Sequence, residues 1–125
     1  MPGDFDSLVA QAFGPGTNNS YQLDIASTDL AEYYSNLDLY STTVVGMTWV
    51  HVAGTWDGGT KRIYVNGALE GQMAAGPVVF DTTPLTLACD LTNNLSDHFF
   101  QGGLADVVLY DRTLSDQEIQ LLAGS

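Results

Sequence analysis

Residues 48–67 limit what this chain can become more than any other stretch. The run TWVHVAGTW at 48–56 is β-branched and aromatic, and it stops at Asp57-Gly58-Gly59. The next run, KRIYV at 61–65, closes on Asn66-Gly67, a dipeptide that accepts the positive φ angles of a tight hairpin turn. Two turn-bounded segments of this kind predict adjacent antiparallel strands, because neither is long enough for a buried helix. The same pattern recurs upstream, where Tyr21, Leu23 and Ile25 alternate with Gln22, Asp24 and Ala26, the period of a half-buried strand.

The rest of the chain extends the pattern. A first strand is expected over 7–13, then a loop, Gly-Pro-Gly-Thr-Asn-Asn, at 14–19. Short strands are expected over 32–35 and 37–43. The signal weakens beyond Gly71 through Gly76-Pro77 and returns where Leu85, Leu87, Cys89 and Leu91 share one face and Thr86, Ala88 and Asp90 the other. A polar loop is expected over 92–97. The last strand is expected over 103–110, which is apolar at nearly every position and so should be covered on both faces. Only the tail reads as helix: Ser115 is a good N-cap, Glu118 completes a capping box, Leu114 can staple onto Ile119, and Gly124 can end it. Many short strands and one small C-terminal helix predict an all-β antiparallel two-sheet sandwich or jelly roll. At 125 residues the expectation is one domain over 1–125.

Composition removes several functions. Hydrophobic residues make up 45%, enough for a core. Three Lys or Arg stand against fifteen Asp or Glu, a formal charge of −12 that argues against nucleic-acid or anionic-lipid partners. No apolar run approaches the ~20 residues of a membrane-spanning helix. The opening residues lack the basic start and apolar core of a signal peptide, so a secretion signal is expected to be absent or removed. The single cysteine, Cys89, excludes an internal disulfide framework, and its alternation with Leu87 and Leu91 reads as a buried, inert thiol.

Three segments together carry a resemblance: WVHVAGTWDGG at 49–59, RIYVNG at 62–67 and GLADVVLYDRTLSDQEI at 103–119. In order and spacing they resemble the laminin-G-like branch of the concanavalin A-like lectin/glucanase superfamily, with weaker likeness over 8–39. The resemblance implies a concanavalin A-like jelly roll of bacterial style, acting outside the cell or at its surface. It also implies strands ahead of this chain's first residues. An uncovered sheet edge is open to pairing, so a homodimer or another protein is expected to cover it. In related glucanases an acid at the position of Ala105 helps hold a structural calcium; Ala105-Asp106 keeps only one of the paired acids, and no cofactor or metal is expected.

Catalysis needs residues that the sequence does not group. Sugar-cleaving relatives set carboxylates on alternate residues of one strand, whereas Glu32, Glu70 and Glu118 lie in unrelated segments. A relic glycoside hydrolase would need an acid pair assembled from distant segments. Asp4 and Asp6 read as solvated tail acids, and His51 within its motif reads as structural. Trp49 and Tyr64 are expected to pack in the core. The chain is therefore not expected to be an enzyme. Recognition needs less: an aromatic ring stacked on a sugar, with Asp, Asn or backbone groups bonding its hydroxyls. The candidate ligand-binding residues are Tyr34, Trp56, Asp57, Asn93, Asn94 and His98, for a neutral glycan. Tyr33 and Tyr34 must point to opposite faces, so at most one can serve. The alternative is a structural or assembly domain that docks another protein, or its own copy, through exposed edges.

Overall fold

The computed structural model describes residues 5–12, 19–35, 37–45, 48–77, 85–87, 89–92, 95–97, 103–110 and 112–124. Four early segments form strands: β1 (Phe5–Ala12), β2 (Asn19–Ala26), β3 (Leu30–Ser35) and β4 (Leu37–Val44). The motif region supplies β5 (Val52–Trp56), β6 (Thr60–Val65) and β7 (Ala68–Ala74). Three short strands follow, β8 (Leu85–Leu87), β9 (Asp90–Thr92) and β10 (Leu95–Asp97), then the helix α1 (Asp116–Ala123). One antiparallel sheet has five strands in the order β4-β3-β2-β1-β8, a second has three in the order β5-β6-β7, and β9 pairs with β10.

The two larger sheets meet through the apolar halves of their alternating strands. Ala31, Leu39, Val45, Ile63 and Val65 form the buried cluster, flanked by Leu23, Ile25, Tyr33, Val50, Val52 and Met73. The opposite face of the three-stranded sheet receives the helix, where Tyr64 packs with Leu114 and Ile119. The helix start is the capping box read in the sequence, with the Ser115 hydroxyl accepting from the Glu118 amide and the Glu118 carboxylate accepting from the Ser115 amide. The hairpin turn at Asn66-Gly67 is likewise as expected, with φ of 50° and 84°.

The hairpin continues as the strand over 68–74, where Gly71 provides the bare backbone that is needed: a Cβ on Gly71 would lie 3.1 Å from Leu39 Cδ1 and 3.2 Å from the Tyr40 carbonyl oxygen across the sheets. Two expectations differ. Part of the predicted polar loop is a short ladder instead, with Thr92 paired to Leu95 and Asp90 to Asp97. Residues 103–110 are not a covered strand. Asp106 adopts a φ of 55°, which breaks a pleated run, and Val108 is 61% exposed.

Gly54 sits where β5 passes the Tyr33 ring, and a Cβ there would come within 2.8 Å of Tyr33 Cδ2. Gly54→Ala should therefore cost about 1–3 kcal/mol in urea denaturation, as overpacking does. An unchanged midpoint would show that the sheets are not held this close.

Candidate functional site

The alternation that sends Leu23, Ile25, Tyr33 and Leu39 into the core sends their neighbours to the other face of the five-stranded sheet. The register lines these up in two rows. Gln22 pairs with Tyr34 and Tyr34 with Asp38; Asp24 pairs with Glu32 and Glu32 with Tyr40. Ser7 on β1 stands opposite Asp24 and extends the second row. The face thus carries an amide, three carboxyls, a hydroxyl and two phenols. Gln22 Nε2 donates to Asp24 Oδ2 at 2.8 Å.

The floor of this face is withdrawn from solvent while its β4 side stays open: Glu32 is fully buried, and Tyr40 is 41% exposed. Tyr34 and Asp38 are half-buried. Burial pushes the Asp24 and Glu32 carboxyls well above the usual carboxylate range, and their mutual hydrogen bond and charge tie the two together. Burial, then the nearby carboxyls of Glu32 and Asp38, also raises the Tyr40 phenol.

The only lysine of the chain, Lys61 on β6, approaches from the core side. It is fully buried, with Nζ 5.4 Å from the centre of the Tyr33 ring. Nζ donates to the Ser35 carbonyl at 3.3 Å, to Ser35 Oγ at 3.2 Å and to the Leu37 carbonyl. Burial lowers its pKa, while Asp38 and Glu32 favour its charge. Lys61 therefore fastens the β3–β4 connection to the second sheet, beside Asp38.

The residues singled out in the sequence fall in different places. Tyr34 belongs to the polar face, and Tyr33 belongs to the core. Trp56 donates its indole N–H to the Ala75 carbonyl at 2.9 Å. Asp57 accepts from the Gly59 and Thr60 amides and pairs with Arg62 at 3.1 Å, which holds its carboxyl low, at about 2. Asp57 thus braces the β5–β6 hairpin, and Trp56 ties the end of β5 to the segment after β7. Asn93, Asn94 and His98 lie outside the described residues. Trp49, expected in the core, is 73% exposed, with Gly103 lying against its ring. Tyr64 packs as expected. The His51 backbone is held by Asn66, its amide donating to the side-chain Oδ1 and its carbonyl accepting from the Asn66 amide.

Gln22, Asp24 and Tyr40 are not candidates in the sequence, where Glu32 reads only as an isolated acid and Asp38 only as a polar neighbour of Tyr33-Tyr34. Their signal was the polar half of a strand alternation, which reads as an ordinary solvent face. Asp24 and Glu32 do form an acid pair from separate segments, as cross-strand partners on β2 and β3. Among the described residues no three His, Cys, Asp or Glu side chains converge as metal ligands.

A family model described as the concanavalin A-like lectin/glucanases superfamily, of laminin G type, matches residues 4–120. The chain belongs to this superfamily. Its sheets and terminal helix are those of the laminin-G-like sandwich. A curated relative, pappalysin-1 of Mus musculus, is 30% identical over 95 residues, which is 74% of this chain and 6% of that protein. The crystal structure of an S-layer domain-containing protein from Clostridium thermocellum ATCC 27405 superposes with a TM-score of 0.55 at 20% identity. That match covers 96% of this chain and 63% of the other. No helix among the described residues is long and apolar enough to cross a membrane.

Removing the Lys61 ammonium should leave buried carbonyls without a donor and a gap under Tyr33. Lys61→Ala is expected to lose about 2–4 kcal/mol in urea denaturation at neutral pH. A loss below about 0.5 kcal/mol, the usual scale of surface changes, would remove Lys61 from this role.

Proposed function

We propose that this laminin-G-type domain is a non-catalytic recognition module that binds a neutral glycan on the polar face of its five-stranded sheet. The observation that carries this reading is the open side of that face, where Tyr34, Asp38 and Tyr40 lie next to one another in register. A phenol ring offers a flat apolar surface to a pyranose, and an adjacent carboxylate accepts hydrogen bonds from its hydroxyls. Gln22 supplies an amide beside them. The superfamily supports binding or adhesion in general, and it supports a place outside the cell or at its surface. The acidic surface fits an uncharged ligand and works against phosphate-bearing ones.

A second reading is favoured by a different observation. Leu104, Val108, Leu109 and Tyr110 are exposed in a segment that forms no ladder among the described residues. A contiguous apolar stretch of this kind suits contact with another protein. On that reading the module is an assembly domain, and the expected homodimer becomes one of its forms.

A glycan array followed by calorimetry distinguishes the two. The first reading expects reproducible binding to one class of neutral sugar, weakened at least tenfold by Tyr34→Ala or Tyr40→Ala with the fold retained by circular dichroism. Silence on the array, together with a mass above that of one chain in light scattering, would overturn the glycan reading in favour of assembly.

A further inference from the structure

The centre of the polar face holds two carboxyls that the protein does not otherwise satisfy. Asp24 on β2 and Glu32 on β3 are cross-strand partners, 1% and 0% exposed. Across β2 from Glu32 stands Ser7, fully buried, whose Oγ has no hydrogen-bond partner. On the other side β4 presents Tyr40 and, along the strand, Asp38, whose Oδ1 is also without one. Among the described residues Asp24 Oδ1 and both oxygens of Glu32 lack a well-formed hydrogen bond, although the carboxyls of Asp24 and Asp38 and the Tyr40 hydroxyl all bear on Glu32, while Gln22 occupies Asp24 Oδ2. From the second sheet, Lys61 reaches Glu32 and Asp38 only through its field, because its ammonium is committed to Ser35 and Leu37.

Two adjacent carboxylates, both ionised, would repel strongly away from water, and among the described residues no ion pair reaches either one. We propose that Asp24 and Glu32 share a single proton, and that this proton is a latch: present, it closes the polar face across β2, β3 and β4; lost as the pH rises, it loosens that face. Asp24 is the donor in this arrangement. Its hydrogen bond favours the charged form of Glu32, while Glu32 favours the protonated form of Asp24. Burial raises both groups above the range they have in the unfolded chain. The folded state therefore keeps a proton that the unfolded chain has released above about pH 4. The stability contributed by the latch is full below that pH and falls as the pH rises through the folded pair's own titration. The latch belongs to the fold and does not depend on which ligand the face binds.

The test uses the whole chain in two measurements. Infrared spectra in heavy water at neutral pH should show a protonated carboxyl band, since every ordinary Asp and Glu is ionised there, and Asp24→Asn should abolish it. Urea denaturation should show the folding constant of the wild type falling at least tenfold between pH 5 and pH 8 relative to Asp24→Asn. If Asp24→Asn does not fold, the test rests on the wild-type band and on its loss as the pH is raised through the folded pair's own titration. Absence of the band, its survival in the variant, or parallel stability profiles would overturn the latch.

Discussion

The inward side of β6 is the contact on which the other features depend. Ile63 and Val65 fill the space between the sheets, packed with Ala31 and Leu39 from the five-stranded sheet, while Lys61 ties the same strand to Ser35 and Leu37. A strand presents alternate residues to opposite sides, so this packing fixes two further surfaces at once. Tyr64, lying between Ile63 and Val65, must face outward, where it meets Leu114 and Ile119 and seats the helix. On the partner sheet, the residues between the core positions must form the face that carries Gln22, Asp24, Glu32, Tyr34, Asp38 and Tyr40.

That second surface is chemically unlike a usual solvent face. Its polar side chains are drawn together by register, and the innermost are buried. It also concentrates carboxyl groups in a chain already at −12.

Legibility followed the locality of the signal. The Asn66-Gly67 turn, the alternation of β2 and the Ser115–Glu118 capping box depend on neighbours within a few residues, and each appears as read. The need for Gly71 within 68–74 is explained only by the approach of Leu39 and Tyr40 from the other sheet. Residues 103–110 misled: a run apolar at nearly every position reads as a covered strand, but the left-handed backbone at Asp106 interrupts it. Trp49 shows that membership of a strand motif does not guarantee burial, since its ring lies exposed beside Gly103.

Alternation, turn chemistry and capping, all short-range properties of the chain, determined an antiparallel β architecture with one terminal helix and a superfamily resemblance. Which polar residues would meet was decided only in three dimensions. Asp24 and Glu32 are eight positions apart and join a common site because β2 and β3 pair in one particular register. A shift of one residue would turn Asp24 into the core and Leu23 toward the polar face, since side chains alternate with a period of two. The register is held by inter-sheet packing around Ile63, a contact between segments that no local pattern in the sequence specifies.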